Sequence, residues 1–255
     1  MHLSISHLKK SFHGNTVLND ISLDIGQGEI IAILGRSGCG KSTLLRCING
    51  LEQIDSGKLH LNGTLITKPN SNYAHWVEVR KKIGMVFQSY DLFPHMNVLS
   101  NIILGPMKVE KRTKKEATEE ALRLLERVGL SDKKHAYPRE LSGGQKQRVA
   151  ICRALCMNPE IILFDEVTAA LDPEMVREVL DVIRTLRNQG LTLIIVTHEM
   201  EFAEKVADRI VFMENGQIAE INTPDQFFHS PQTAEARQFL NLPAGGVRTA
   251  DHVII

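Results

Sequence analysis

The stretch Glu29-Ile-Ile-Ala-Ile-Leu-Gly35-Arg-Ser-Gly-Cys-Gly40-Lys-Ser-Thr43 limits what this chain can fold into more than any other. An apolar run of strand length enters a glycine-rich loop, and a helix-forming segment, Ser42–Asn49, follows. Strand, glycine loop and helix in that order belong to a parallel α/β sheet. The loop fits the pattern G-x-x-x-x-G-K-[ST], in which backbone N–H groups curl around phosphate oxygens that a β-carbon would obstruct. Lys41 offers a positive charge to the β- and γ-phosphates, and the Ser42 hydroxyl can ligate Mg²⁺. The new helix adds its positive dipole end. Gly35, Arg36, Ser37, Gly38, Cys39, Gly40, Lys41, Ser42 and Thr43 are therefore expected to bind a nucleoside triphosphate, ATP with Mg²⁺.

The rest of the chain supports an α/β class. Strand-like segments run over Leu3–Lys9, Ile21–Ile25, Ile83–Phe87, Ile161–Phe164 and Leu191–Val196, with a helix over Pro173–Asn188. The turn-rich section after Gly50, with Asp55-Ser-Gly57, Asn62-Gly63 and Pro69-Asn70-Ser71, reads as β-hairpin material. Lys108–Val128 has helical spacing and Gly129 stops it, and another helix begins after Leu141-Ser-Gly-Gly144. The expected organisation is an α/β nucleotide-binding core over 1–88 and 158–242 with an antiparallel β region, a helical subdomain over 89–157, and a loose tail over 243–255. At 255 residues this is one α/β domain carrying a subdomain.

Two further groups carry chemistry. Ile161-Ile-Leu-Phe-Asp165-Glu166 is an apolar strand ending in two acids. Asp165 is placed to hold the Mg²⁺ shell and Glu166 to position or deprotonate the attacking water. Read without the phosphate loop, they would be solvated residues of a turn. Leu141-Ser-Gly-Gly-Gln145 puts Ser142, Gly143, Gly144 and Gln145 at a helix start, a second backbone nest for phosphate. Taken alone it is a common helix cap. Two nests of different build in one chain suggest that each ATP is shared between two copies, one giving Lys41 and the other Ser142.

With these motifs in hand, the chain resembles the ATP-binding subunits of ABC transporters over about residues 1–242. The elements occur in that family's order: Gly35–Thr43, Gln88 in Val86-Phe-Gln88, Leu141–Gln145, Phe164-Asp-Glu166, Ala170-Leu-Asp172 and Thr197-His198. The resemblance implies that Gln88 touches the metal or the attacking water. It implies that His198 bonds the γ-phosphate and Glu166, and that Asp172 crosses a head-to-tail dimer seam. It also places Phe12 on the adenine, where Tyr is commoner, with Val17 beside the nucleotide. Away from the resemblance, Phe12 reads as core and His198 as an imidazole at a strand end. The chain departs from the family's Asp-Glu-Pro-Thr-Ser-Ala-Leu-Asp at Val167 and Ala169. Neither change removes a group the chemistry needs, so altered rate or coupling is expected rather than inactivity.

Lys+Arg and Asp+Glu both number 30, which gives no broad basic field for a nucleic acid. No apolar run approaches the roughly 20 residues that cross a bilayer, and the N-terminus has no export signal. Cys39, Cys47, Cys152 and Cys156 read as reduced thiols. A membrane role would thus come through integral permease subunits, for which Tyr90, Phe93 and Met96 form a candidate docking segment. Packing within the helical insert is the alternative for those three. Phe93-Pro-His-Met96 and Val196–Ala203 are similar to the polar amino acid uptake subfamily (glutamine, arginine, histidine or cystine). That implies a peripheral protein on the cytoplasmic face of the plasma membrane, acting indirectly with an extracytoplasmic solute-binding protein. The rival reading is a non-transport or lipoprotein-extracting ABC ATPase. A DNA-repair or ribosome-associated ATPase would need a coiled-coil insertion or a second cassette.

Overall fold

The computed structural model describes residues 1–67, 72–169, 171–187 and 189–242. The Pro69–Ser71 turn, Ala170, the expected helix end at Asn188 and the tail over 243–255 lie outside the described residues. In chain order the strands and helices are β1 (Leu3–Phe12), β2 (Asn15–Ile25), β3 (Ile30–Gly35), α1 (Lys41–Ile48), β4 (Ser56–Leu61) and β5 (Thr64–Leu65). Next come α2 (Tyr73–Lys82), β6 (Ile83–Val86), α3 (Val98–Val109), α4 (Lys114–Arg127), α5 (Gly143–Leu155), β7 (Ile161–Asp165) and α6 (Pro173–Arg187). The chain finishes with β8 (Thr192–Val196), α7 (Met200–Val206), β9 (Arg209–Glu214), β10 (Gln217–Asn222), α8 (Pro224–His229) and α9 (Ala234–Phe239). These elements fall into two compact units, one drawn from Met1–Asn70 and Ile194–Ile255, the other from Ser71–Leu193.

The first unit is the β-rich one. Strands β2-β1-β4-β5 form an antiparallel sheet, and Asn62 and Gly63, both at positive φ, turn β4 into β5 as the sequence suggests. In the other sheet the order runs β10-β9-β3-β8, with β9 parallel to β3 and antiparallel to β10. Every residue of β3 is buried, which explains its unbroken apolar run. A cluster of Ala32, Leu34, Ile210, Phe212, Phe227, Phe228 and Ala236 forms a core here, and the Phe212 and Phe227 rings pack 5.7 Å apart. No hairpin or helix is expected from the sequence alone over Arg209–Phe239, yet the structure builds β9, β10, α8 and α9 there.

The second unit is mostly helical around the parallel pair β6 and β7. Helices α3, α4 and α5 pack on one another. On α4, Ala117, Ala121, Leu124 and Leu125 are buried at the spacing of an amphipathic helix. The periodic stretch Lys108–Val128 is not one helix. It breaks where Lys111 takes φ 60°, and Thr113 starts α4 afresh with a capping box to Glu116. Two helices, α2 and α3, are additions to the sequence reading. Each begins on an asparagine cap: Asn72 accepts from the N–H of His75, and Asn97 from that of Ser100.

Asn101 of α3 is fully buried and fixes the loop before it. Its Oδ1 accepts from the Phe93 N–H at 2.7 Å, while its Nδ2 donates to the carbonyls of Phe93, Met96 and Asn97. Asn101→Ala should lower unfolding free energy by about 2 kcal/mol, because the Phe93 N–H is left without its acceptor. Urea denaturation measures this, and a loss below about 0.5 kcal/mol would show that water replaces the side chain.

Candidate functional site

In the first unit, the end of β3 and the start of α1 are joined by a loop whose backbone has almost no room at its two ends. A β-carbon on Gly35 would stand 2.2 Å from the carbonyl oxygen of Met213. One on Gly40 would stand 2.9 Å from the carbonyl oxygen of Val17, and one on Gly216 would stand 2.4 Å from that same oxygen. Gly38 and Gly40 also take φ 80° and 103°, a region open to glycine at no steric cost. The loop is thus wedged between β2 and the β9–β10 turn, which is itself tied to β2 by the Asn19 N–H donating to the Gly216 carbonyl at 2.8 Å.

Lys41 is only 4% exposed. Its Nζ donates to the carbonyls of Gly35 at 2.9 Å and Arg36 at 3.0 Å, folding the side chain back over the loop. Ser42 and Thr43 follow in the first turn of α1, half-buried. Beside the loop lies a cavity of about 510 Å³ lined by Val17, Arg36, Ser37, Gly38 and Cys39, with Thr16 and Glu214–Gly216 completing it. Sequence reasoning missed Thr16, Glu214, Asn215 and Gly216. Asn-Gly is a recognisable hairpin turn, but only the parallel pairing of Gly35 with Met213 brings it to the loop. Phe12 ends β1, half-buried, with the Lys10 ammonium 4.6 Å from its ring centroid. His198 stands exposed just past β8, after Thr197, whose buried Oγ1 accepts from the Glu199 N–H at 3.0 Å.

Cys39 sits inside the loop as the sequence indicates, but it does not offer its thiol outward. The side chain is buried, and its Sγ would be 2.9 Å from a β-carbon on Gly35. Burial pushes the thiol pKa up, against the opposing pull of Lys41.

In the second unit, every residue of β7 is buried, and Asp165 at its end is 5% exposed. Glu166 follows, half-buried at φ 48°, where a residue with a β-carbon carries strain. A turn holds it, with the Ala169 N–H donating to the Glu166 carbonyl at 3.1 Å. Asp172 is exposed immediately before α6. Gln88 is exposed just beyond β6, and the preceding Phe87 carbonyl accepts from Gln147 Nε2 at 3.3 Å.

Ser142 caps α5. Its Oγ accepts from the Gln145 N–H at 3.2 Å, and Gln145 Oε1 accepts in return from the Ser142 N–H at 3.0 Å. The hydroxyl hydrogen of Ser142 is left to donate elsewhere. β-Carbons at Gly143 and Gly144 would each meet a neighbour at 3.0 Å: Tyr90 and Leu171 for the first, Met175 for the second. The Gly144 N–H is turned toward Met175 Sδ at 3.4 Å. The structure therefore brings Ser142–Gln145 together with Tyr90 and Leu171 in this unit, and Val17 together with Arg36–Cys39 in the first.

Among the described residues no group of three His, Cys, Asp or Glu side chains could hold a metal ion, and no helix is long and apolar enough to cross a membrane.

Residues 18–169 match a family model described as ABC transporter. The arginine transport ATP-binding protein ArtM of Bacillus subtilis (strain 168) is 52% identical over 238 residues, spanning 93% of this chain and 98% of that protein. The glutamine transport ATP-binding protein GlnQ of Geobacillus stearothermophilus is 53% identical over 92% of this chain and 96% of its own length. Among solved structures, the dimeric post-hydrolysis state of the ATP-binding cassette MJ0796 bound to ADP and Pi superposes with a TM-score of 0.79. It is 30% identical, with 87% of this chain and 98% of that one covered.

The thiol geometry gives a measurable outcome. At pH 8 iodoacetamide should label Cys39 at least about tenfold more slowly than free cysteine, because burial suppresses the thiolate. Adding ATP should change the rate by less than about twofold, since the protein already covers the sulfur. Peptide mass spectrometry reads both, and fast labelling that ATP blocks would show that the thiol turns into the loop.

Proposed function

The chain belongs to the ABC transporter family, and from that premise we propose that it is the ATP-hydrolysing subunit of a membrane importer for polar amino acids. It splits ATP with water into ADP and phosphate. The observation that carries this reading is the wedged loop with Lys41 folded over it, in a chain about half identical to amino acid transport subunits over nearly their whole lengths. Those relatives' names favour amino acid transport over lipoprotein extraction.

The residues take these roles. The backbone of Arg36–Thr43 and the Lys41 ammonium bind the phosphates. Val17 and Phe12 flank the nucleoside. Glu166, held at φ 48°, orients the attacking water and takes its proton. His198 and Gln88 assist at the γ-phosphate. A magnesium ion fits the donor types present: the Ser42 hydroxyl and the Asp165 carboxylate are hard oxygen ligands. Mg²⁺ is held by one or two such groups, phosphates and waters rather than by an all-protein cage. When bound it would neutralise charge on the phosphates being separated.

Two copies act as a head-to-tail pair, with Ser142–Gln145 and Asp172 of one completing the site of the other. The dimeric MJ0796 cassette supports this reading. The pair works on integral permease subunits from the cytoplasmic face of the membrane. Phe93, 41% exposed, is the best anchor of the Tyr90–Met96 segment for that docking. An extracytoplasmic solute-binding protein would deliver the cargo to those permease subunits.

Glu166→Gln should keep ATP binding and lower hydrolysis by roughly 10²–10⁴-fold, trapping a dimer on a sizing column. Normal turnover in that variant would remove Glu166 from its role. Mixing Lys41→Ala with Ser142→Arg subunits should restore activity to part of the heterodimer population, and no recovery at any ratio would refute shared sites. Uptake of labelled arginine, glutamine, glutamate and cystine in cells lacking this subunit decides the cargo, and unchanged uptake of all four would overturn amino acid import.

A further inference from the structure

We propose that Arg153 is a positioning residue: it clamps the segment after Gln88 in a strained conformation and so fixes Gln88 to the helix that begins at Ser142–Gln145. The inference rests on the role given to Gln88 above and adds the device that holds it.

The observation that calls for a clamp is the backbone. Tyr90 and Asp91 sit at φ 59° and 48°, two consecutive left-handed residues that both carry a β-carbon. Such a pair persists only where the surroundings over-determine it. Part of the restraint is local: the Asp91 N–H donates to the Ser89 carbonyl at 2.6 Å, and Ser89 Oγ donates to Asp91 Oδ1 at 2.9 Å.

The rest comes from α5. Arg153 Nη1 donates to the Asp91 carbonyl at 2.6 Å and Nη2 to the Tyr90 carbonyl at 3.2 Å. One planar fork thus reads the carbonyls of both strained residues, which a lysine could not do. Arg153 is half-buried, and its desolvation, opposed by Asp91, lowers its pKa. On the other side of Gln88, Gln147 of α5 donates to the Phe87 carbonyl. A third point of touch lies at the head of the helix, where the Tyr90 hydroxyl would stand 3.0 Å from a β-carbon on Gly143.

Helix α5 therefore grips the chain on both sides of Gln88 and leaves Gln88 itself exposed. Moving the segment while α5 stays still requires breaking the Arg153 fork. Once that fork is broken, the two left-handed residues relax to ordinary backbone and Gln88 is no longer held in one place. The helix that carries Ser142–Gln145 and the segment that carries Gln88 and Phe93 then move together or lose their register.

The test is Arg153→Ala in the purified chain, read by ATPase kinetics and by hydrogen exchange at the Tyr90 and Asp91 amides. Loss of a charged fork predicts that kcat falls about tenfold while KM for ATP shifts less than about twofold, with exchange at the two amides about tenfold faster. Arg153→Lys, which reaches one carbonyl at most, should fall between and carries the test if the alanine variant does not fold. Adding Asp91→Gly to Arg153→Ala should recover at least about half of the lost kcat, because glycine takes this φ at no cost. General damage to α5 would not be repaired by a glycine in another segment. Unchanged exchange, or no recovery by Asp91→Gly, would overturn the clamp. Gln88→Ala run in parallel separates the two ideas: faster exchange in Arg153→Ala with kcat untouched in both variants would sink the role of Gln88 and leave the clamp standing.

Discussion

The phosphate loop depends on backbone approaching backbone more closely than any side chain allows. Met213 and Val17 press their carbonyl oxygens to within 3 Å of where β-carbons at Gly35, Gly40 and Gly216 would be. These contacts set the shape of the loop before any ligand arrives. The buried Lys41 ammonium completes the arrangement by bonding the Gly35 and Arg36 carbonyls. Hydrogen bonds from a charged group are worth roughly 1.5–3 kcal/mol each, so the loop and its lysine hold one another. If the loop binds a polyphosphate as proposed, little ordering entropy remains to be lost on binding.

How much of this could be read from the sequence follows from how local each cause is. The strand, loop and helix over Ile30–Ile48 were legible because their glycines, lysine and apolar run are adjacent. So was the β4–β5 hairpin, whose Asn62-Gly63 pair states its own turn. The opposite holds for Thr16 and Glu214–Gly216. Asn215-Gly216 marks a turn but not a site; Glu214–Gly216 reach the cavity through the register of β9 on β3, and Thr16 lines it from β2. Helix α2 has no mark in the sequence because only Val79 is buried along it, leaving no apolar stripe to count. Helix α3 carries Pro106 in its interior, which argues against a helix until the Asn97 cap is recognised. The false continuity over Lys108–Val128 came from composition, since Lys, Glu and Ala favour helix on both sides of the Lys111 break.

The departures at Val167 and Ala169 also gain a physical sense. Val167 is 4% exposed, so the side chain that stands in place of the family's proline is packed inside and adds apolar burial. The strained φ of Glu166 is accompanied by the Ala169 bond to its carbonyl, with no ring there to stiffen the chain. Ala169, by contrast, is exposed, and the loss of a hydroxyl there strands no buried partner.

Helix α5 shows why a short signature can carry several demands at once. At its head, Ser142 and Gln145 satisfy each other's backbone N–H groups, so the cap stands without outside help. A side chain at Gly143 would crowd Tyr90 and Leu171, and one at Gly144 would crowd Met175. Lower down, Gln147 and Arg153 hold the carbonyls on either side of Gln88. A helix that is rigid over Gly143–Leu155 transmits any tilt at one end to the other. Placing the cap, the two bare glycines and the clamp on one such rod ties the segment bearing Gln88 to the Ser142 cap through direct contacts alone, with no chain of intermediate rearrangements between them.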